Sequence, residues 1–154
     1  MFEIRRSRPA DGQRIVSIWR AAVAATHDFL SAQDRCAIDA DAQAYLLSTP
    51  LWVAVDPRDQ PVAFMALGAQ RLGAQRLEAL FVDPHARGKG VGRTLVSFAA
   101  TLHPVLDTEV NAQNGQALGF YRHLGFVETG YSPLDGQGRP YPLIRMRRAV
   151  GAIR

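Results

Sequence analysis

The sequence predicts a single-domain mixed α/β protein over residues 1–154, with elements in the order β-α-α-β-β-β-α-β-α-β-β, a central sheet of about seven strands and four flanking helices. Three observations carry this. Segments with apolar residues at helical spacing alternate with segments of strand formers. No Gly/Ser/Pro-rich linker interrupts the chain. Its 154 residues fit one domain of roughly 100–200.

Phe2-Glu3-Ile4-Arg5 alternates as a half-buried strand does. Ser7 then supplies a cap and Pro9 an early first-turn proline for a helix whose stripe is Ile15, Ile18, Trp19, Ala22 and Val23. Thr26 to Leu30 breaks the stripe. Ser31 with Asp34 reads as a capping box, and Ile38, Ala42, Tyr45 and Leu46 continue at helical spacing until Ser48-Thr49-Pro50. Leu51–Val55 and Val62–Leu67 form a hairpin around the turn residues Asp56–Gln60. Gly68-Ala69-Gln70-Arg71-Leu72 is repeated at once as Gly73-Ala74-Gln75-Arg76-Leu77, a copy expected to lengthen the next hairpin turn and leave the core unchanged. Leu77–Val82 is the following strand, stopped by Pro84.

From Gly90, the residues Val91, Leu95, Phe98, Ala99 and Leu102 predict a helix closed by Pro104. Leu106, Thr108 and Val110 alternate as a strand. Ala117, Phe120, Tyr121 and Leu124 share a helical face ended by Gly125, and Phe126–Tyr131 and Tyr141–Arg147 read as two last strands around a Gly/Pro-rich loop.

Composition narrows the function. No apolar run approaches the roughly 18 residues of a membrane span, and Arg5, Arg6 and Arg8 stand where a secretion signal would turn apolar. Cys36 is the only cysteine, which excludes an internal disulfide and a Cys-rich zinc site and suits a reducing, cytoplasmic setting. No His/Asp/Glu spacing suggests a metal. A net charge of +4 favours something anionic: nucleic acid, a phosphorylated cofactor or an acidic partner.

The segment Val82-Asp83-Pro84-His85-Ala86-Arg87-Gly88-Lys89-Gly90-Val91-Gly92-Arg93 joins a strand to a helix through glycines at alternate positions. Glycine permits close backbone approach, and the first helical turn leaves N–H groups unpaired where the macrodipole favours an anion. Arg87, Lys89 and Arg93 add positive charge, so a pyrophosphate is the natural guest. The spacing matches neither a Walker A loop nor a dinucleotide fingerprint, since Arg93 stands five residues after Gly88.

Arg87-Gly88-Lys89-Gly90-Val91-Gly92 resembles the pyrophosphate motif Arg/Gln-x-x-Gly-x-Gly/Ala of the GCN5-related N-acetyltransferases, the GNAT family. Asn114-Gly115-Gln116-Ala117-Leu118-Gly119-Phe120-Tyr121-Arg122-His123-Leu124-Gly125-Phe126 is similar to that family's Asn-x-x-Ala-x-x-Phe-Tyr-x-x-x-Gly-Phe. Within the family, Ala25–Leu30, Pro50–Val55 and Pro140–Leu143 resemble the YjaB-type bacterial acetyltransferases.

The resemblance implies the GNAT fold and direct transfer of an acetyl group from acetyl-CoA to a primary amine. It implies cofactor contacts from Leu80, Phe81 and Val82, with the Leu80 N–H polarising the thioester carbonyl. Others come from Arg87, Gly88, Lys89, Gly90, Val91, Gly92 and Arg93, and from Asn111, Asn114, Ala117, Phe120, Tyr121 and Arg122. Tyr121 matches the family's acid, whereas periodicity alone equally makes it a core aromatic; its loss is expected to slow turnover and move the basic pH limb. For the base, Glu78 is preferred, sharing a strand face with Leu80 and Val82, against a plain solvated carboxylate. His27, in the break between the first helices, is the rival, against a helix-end hydrogen bonder.

His85, His103 and His123 are expected in solvent. The acceptor is expected to be a small molecule or a peptide amine, with no nucleic acid or membrane partner expected, and the protein is expected to be a monomer or homodimer. A silent CoA-binding sensor is the alternative function. A nucleic-acid patch at Arg145, Arg147 and Arg148 is a weaker one.

Overall fold

The computed structural model describes residues 2–71 and 73–149. In chain order these form β1 (Glu3–Arg6), α1 (Gly12–Thr26), α2 (Ala32–Ser48), β2 (Trp52–Val55), β3 (Pro61–Arg71), β4 (Ala74–Val82), α3 (Val91–Leu102), β5 (Val105–Asn111), α4 (Gly115–His123), β6 (Val127–Ser132) and β7 (Leu143–Ala149). This is the expected order of elements, with strands ranked β1-β2-β3-β4-β5-β7-β6 in a mixed sheet. The residues group into two units. Of the described residues, one holds those up to Ala66 with Ala79–Val96, and the other holds those of Leu67–Glu78 with those from Ser97 onward.

In the first unit, β1 and β2 pair antiparallel from Glu3↔Val55 to Arg6↔Trp52, and β2 pairs antiparallel with β3. The α1 stripe buries as its spacing requires: Ile15, Ile18, Trp19 and Val23 pack with Leu46, Leu51, Val53, Val55 and Phe64. Ser7 does not cap α1. Its hydroxyl accepts the Leu51 N–H at 3.0 Å, tying the chain to the start of β2. A 3-10 turn, Pro9–Asp11, intervenes, and the buried Asp11 carboxylate accepts the Arg8 N–H at 2.8 Å and pairs with Arg5. Ser31 does cap α2, accepting the Asp34 N–H at 3.1 Å. Of the α2 stripe only Leu46 is fully buried and Tyr45 is exposed, because this polar helix covers the core with one edge.

In the second unit, β4 and β5 pair in parallel from Gln75↔Leu106 to Leu77↔Thr108, β5 pairs antiparallel with β7, and β7 with β6. Leu106, Thr108 and Val110 turn inward with Leu118, Tyr121, Leu124 and Met146. The α4 stripe is rotated one position from its expected centre, leaving Ala117 and Phe120 half-buried.

The tandem copy corrects an expectation. It lengthens the strands rather than the turn: β3 runs to Arg71 and β4 starts at Ala74. Ala74 and Leu77 are buried, as is Gln75, whose amide donates to the Gly68 carbonyl. A strand ladder satisfies the backbone groups that a longer loop would leave to water, and the glutamine amide completes its own pairing within the copy.

Candidate active site

The end of β4 alternates. Ala79 and Phe81 pack on the first unit's core, Phe81 with its ring centroid 5.6 Å from that of Phe64. Leu80 and Val82, half-buried, therefore occupy the other strand face. The strand stops where the Asp83 N–H donates to the Val62 carbonyl at 2.8 Å and Pro84 opens a 3-10 turn. The Asp83 carboxylate accepts the His85 N–H at 3.0 Å and pairs with Arg14, which also donates to the Pro61 carbonyl at 2.9 Å. Burial alone would raise the pKa of Asp83; the His85 N–H and the Arg14 guanidinium overcome it and hold the carboxyl below its ordinary value.

Arg14 is a support residue that the sequence does not reveal. It lies on α1, 69 positions from its partner, and no local pattern announces such a pair. Asp83→Asn is expected to cost about 1–3 kcal/mol at neutral pH, since it leaves the guanidinium without its carboxylate. The folded carboxyl titrates below the unfolded one, so its stabilisation is present above about pH 4 and is lost as pH falls through the folded value. Urea midpoints measured from pH 3 to 7 check this: the gap between the two proteins narrows towards pH 3.

After the clamp come Gly88 and Gly90, with φ of +78° and +79°. A Cβ on either would meet no atom within 4 Å, so the backbone conformation requires glycine there and the space above the turn is open. The Thr94 N–H and hydroxyl both donate to the Gly90 carbonyl, at 3.0 and 2.9 Å, which starts α3 directly behind the turn. The N–H groups of the first α3 turn lie beyond the reach of intrahelical acceptors. Arg87 is half-buried, whereas Lys89 and Arg93 are exposed. The open cradle, the first-turn amides and three cations fit a pyrophosphate.

In the second unit, Asn114 caps α4, its Oδ1 accepting the Ala117 N–H at 3.1 Å. The Asn111 side chain is committed to the preceding turn, accepting the Gln113 N–H at 2.8 Å. Tyr121 is buried edge-on between Phe120 and Phe126, ring centroids 5.0 and 5.1 Å away. Its phenol bonds Thr108, whose own hydroxyl proton goes to the Leu77 carbonyl at 2.9 Å, so the phenol is the donor. Burial pushes the phenol's pKa up, and the Thr108 contact offsets part of this. Arg122 is exposed and paired with Glu128.

Glu78 is exposed and folds across the neighbouring strand: a Cβ on Gly68 would stand 2.5 Å from its Cδ. In the first unit, half-buried His27 ends α1 with its ring centroid 5.3 Å from Phe29. Its pKa is lowered, first by burial and then by the charge of Arg35, so the ring is neutral at pH 7. Of the other histidines, His85 and His123 are exposed, but His103 is tied down, Nδ1 accepting the Val105 N–H at 3.1 Å. The C-terminal arginines are largely neutralised across strands: Arg145 pairs with Glu109 and Arg147 with Asp107.

Residues 48–128 match the acetyltransferase (GNAT) domain model. The chain belongs to the GNAT acetyltransferases. Peptidyl-lysine N-acetyltransferase YjaB of Escherichia coli (strain K12) is 49% identical over 146 residues, covering 95% of this chain and 96% of that protein. The protein of the same name from Salmonella typhimurium is 47% identical, covering 95% and 97%. The solution structure of apo-form YjaB from Escherichia coli superimposes with a TM-score of 0.90 at 48% identity, covering 98% of this chain and 99% of that one. This GNAT member is an N-acetyltransferase that uses acetyl-CoA and acts on an amine acceptor. No helix among its described residues is long and apolar enough to cross a membrane.

Proposed function

We propose that this chain acetylates lysine side chains of peptides or proteins in the cytoplasm, acting as a single catalytic domain. The reading is carried by near end-to-end identity of 49% to a peptidyl-lysine N-acetyltransferase. When bound, acetyl-CoA supplies the acetyl group as a thioester whose sulfur departs as a thiolate. The amides and cations of 87–93 hold the pyrophosphate. Backbone groups of Leu80 and Val82 bind the pantetheine arm, and the Leu80 N–H stabilises charge developing on the carbonyl oxygen. Phe81 contributes its backbone, since its ring is engaged in the core. Asn111, Asn114, Ala117 and Phe120 line the arm, and Arg122 serves the adenosine end.

The lysine arrives as an ammonium. His27 takes one of its protons at Nε2 and releases it to solvent; the second amine proton is lost to solvent as the amide forms, while the Tyr121 hydroxyl, turned from Thr108 to the departing sulfur, protonates the thiolate and is reprotonated from solvent. His27 is preferred to Glu78 because its ring is neutral at pH 7, whereas Glu78 is laid over Gly68 and already engaged. The acidic limb of kcat/KM for the acceptor is then expected below the ordinary histidine value of about 6.5, the direction in which burial moves His27. It disappears in His27→Gln, with a rate loss of about 100-fold, and persists in Glu78→Gln. The inverse pattern transfers the role to Glu78.

A panel of lysine peptides, peptide N-termini, polyamines and aminoglycosides incubated with acetyl-CoA, followed by thiol release and mass spectrometry, tests the acceptor. Lysine peptides are expected to dominate. Turnover confined to small amines overturns the proposal.

A further inference from the structure

Thr26 and His27 form a short hydrogen-bonded chain at the end of α1. The Thr26 hydroxyl lies 2.8 Å from the Ala22 carbonyl oxygen and 2.7 Å from His27 Nδ1. A hydroxyl has one proton and the carbonyl has none, so only Thr26 can donate in the first contact. If that proton were turned to Nδ1 instead, two oxygen lone pairs would face each other at 2.8 Å. The arrangement that satisfies both contacts has Thr26 donating to Ala22 and His27 Nδ1–H donating to Thr26. In the neutral ring the second nitrogen then carries the lone pair. Among the described residues Nε2 has no hydrogen-bond partner.

We infer that Thr26 is a positioning residue: it fixes neutral His27 as the Nδ1–H tautomer and so makes Nε2 the atom that receives the acceptor's proton. This rests on His27 acting as the base, as proposed above. After transfer both ring nitrogens carry protons, and Nδ1–H keeps its bond to Thr26, so no reorientation accompanies the step. An unconstrained histidine favours the opposite tautomer, with the proton on Nε2 and no base at the position needed. No short motif signals this role, because the informative contact is to a carbonyl one helical turn back.

The test uses the full chain labelled with 15N at histidine, with wild type, Thr26→Val, Thr26→Ser and His27→Gln compared. In the wild type, above the His27 pKa, Nδ1 is expected to show a protonated and Nε2 an unprotonated 15N shift. Thr26→Val, which keeps the shape, moves the neutral ring towards the Nε2–H form and lowers kcat/KM for the acceptor about three- to tenfold, with KM for acetyl-CoA unchanged. Thr26→Ser restores both. A wild-type spectrum with Nδ1 unprotonated, or one indifferent to Thr26→Val, overturns the tautomer assignment. A tautomer that shifts in Thr26→Val while kcat/KM holds overturns the positioning role. Full activity in His27→Gln overturns the base assignment instead, an outcome separate from the nitrogen spectrum.

Discussion

Tyr121→Phe is expected to lower kcat by about ten- to a thousandfold while changing the affinity for acetyl-CoA little. The ring stays where it is, since its packing against Phe120 and Phe126 does not involve the hydroxyl. What is lost is one hydrogen bond to Thr108, whose donor remains satisfied by the Leu77 carbonyl, so the folded state should lose about 1 kcal/mol. A rate loss of that size with so small a stability change separates chemistry from packing. The pH dependence sharpens the test. Sequence alone predicts that the basic limb moves with this substitution, but burial raises the phenol's pKa above its ordinary value of about 10. The phenol therefore remains protonated at assay pH, and the ratio of wild-type to variant kcat should be the same at pH 7 and pH 9. Steady-state kinetics with thiol detection at both values check this. Unchanged turnover in the variant returns Tyr121 to the hydrophobic core.

Strand and helix order was legible in the sequence because each element carries its own periodicity, and the glycine turn was legible because its conformation demands residues that few other settings tolerate. Contacts made across the fold were not. Nothing near Arg14 marks it as the clamp on Asp83, and nothing near Thr108 marks it as the acceptor for Tyr121. The tandem copy reads locally as loop because of its glycines and polar residues, whereas pairing with the neighbouring strand decides their state. The Arg145 and Arg147 cluster read as a charged patch because the cross-strand carboxylates that answer it lie 36 and 40 positions away. The first helix is legible from its apolar stripe but its start is not, since the Ser7 hydroxyl accepts the Leu51 N–H and does not cap the helix.

In Gly90→Val the shift in melting temperature produced by acetyl-CoA should fall to a small fraction of its wild-type size. At φ +79° a β-branched residue is strained by about 1–2 kcal/mol, and this lowers the melting temperature of the free protein modestly. The added β-carbon itself brings no steric conflict within the protein, because a Cβ at Gly90 meets no atom within 4 Å. The substituent instead occupies the open side of the turn, where a phosphate approaches the amides in the proposed binding mode, and its effect on the cofactor should far exceed its effect on folding. At acetyl-CoA concentrations about 100-fold above Kd, the wild type gains about 2.7 kcal/mol from the ligand; a 100-fold loss of affinity leaves about 0.4 kcal/mol. Arg87→Glu should produce a similar loss with no change in backbone strain, by replacing a cation of the proposed pyrophosphate cradle with an anion. Thermal melts of both variants across an acetyl-CoA titration measure the two contributions separately. If both keep the wild-type shift, the cofactor does not bind at the 87–93 turn.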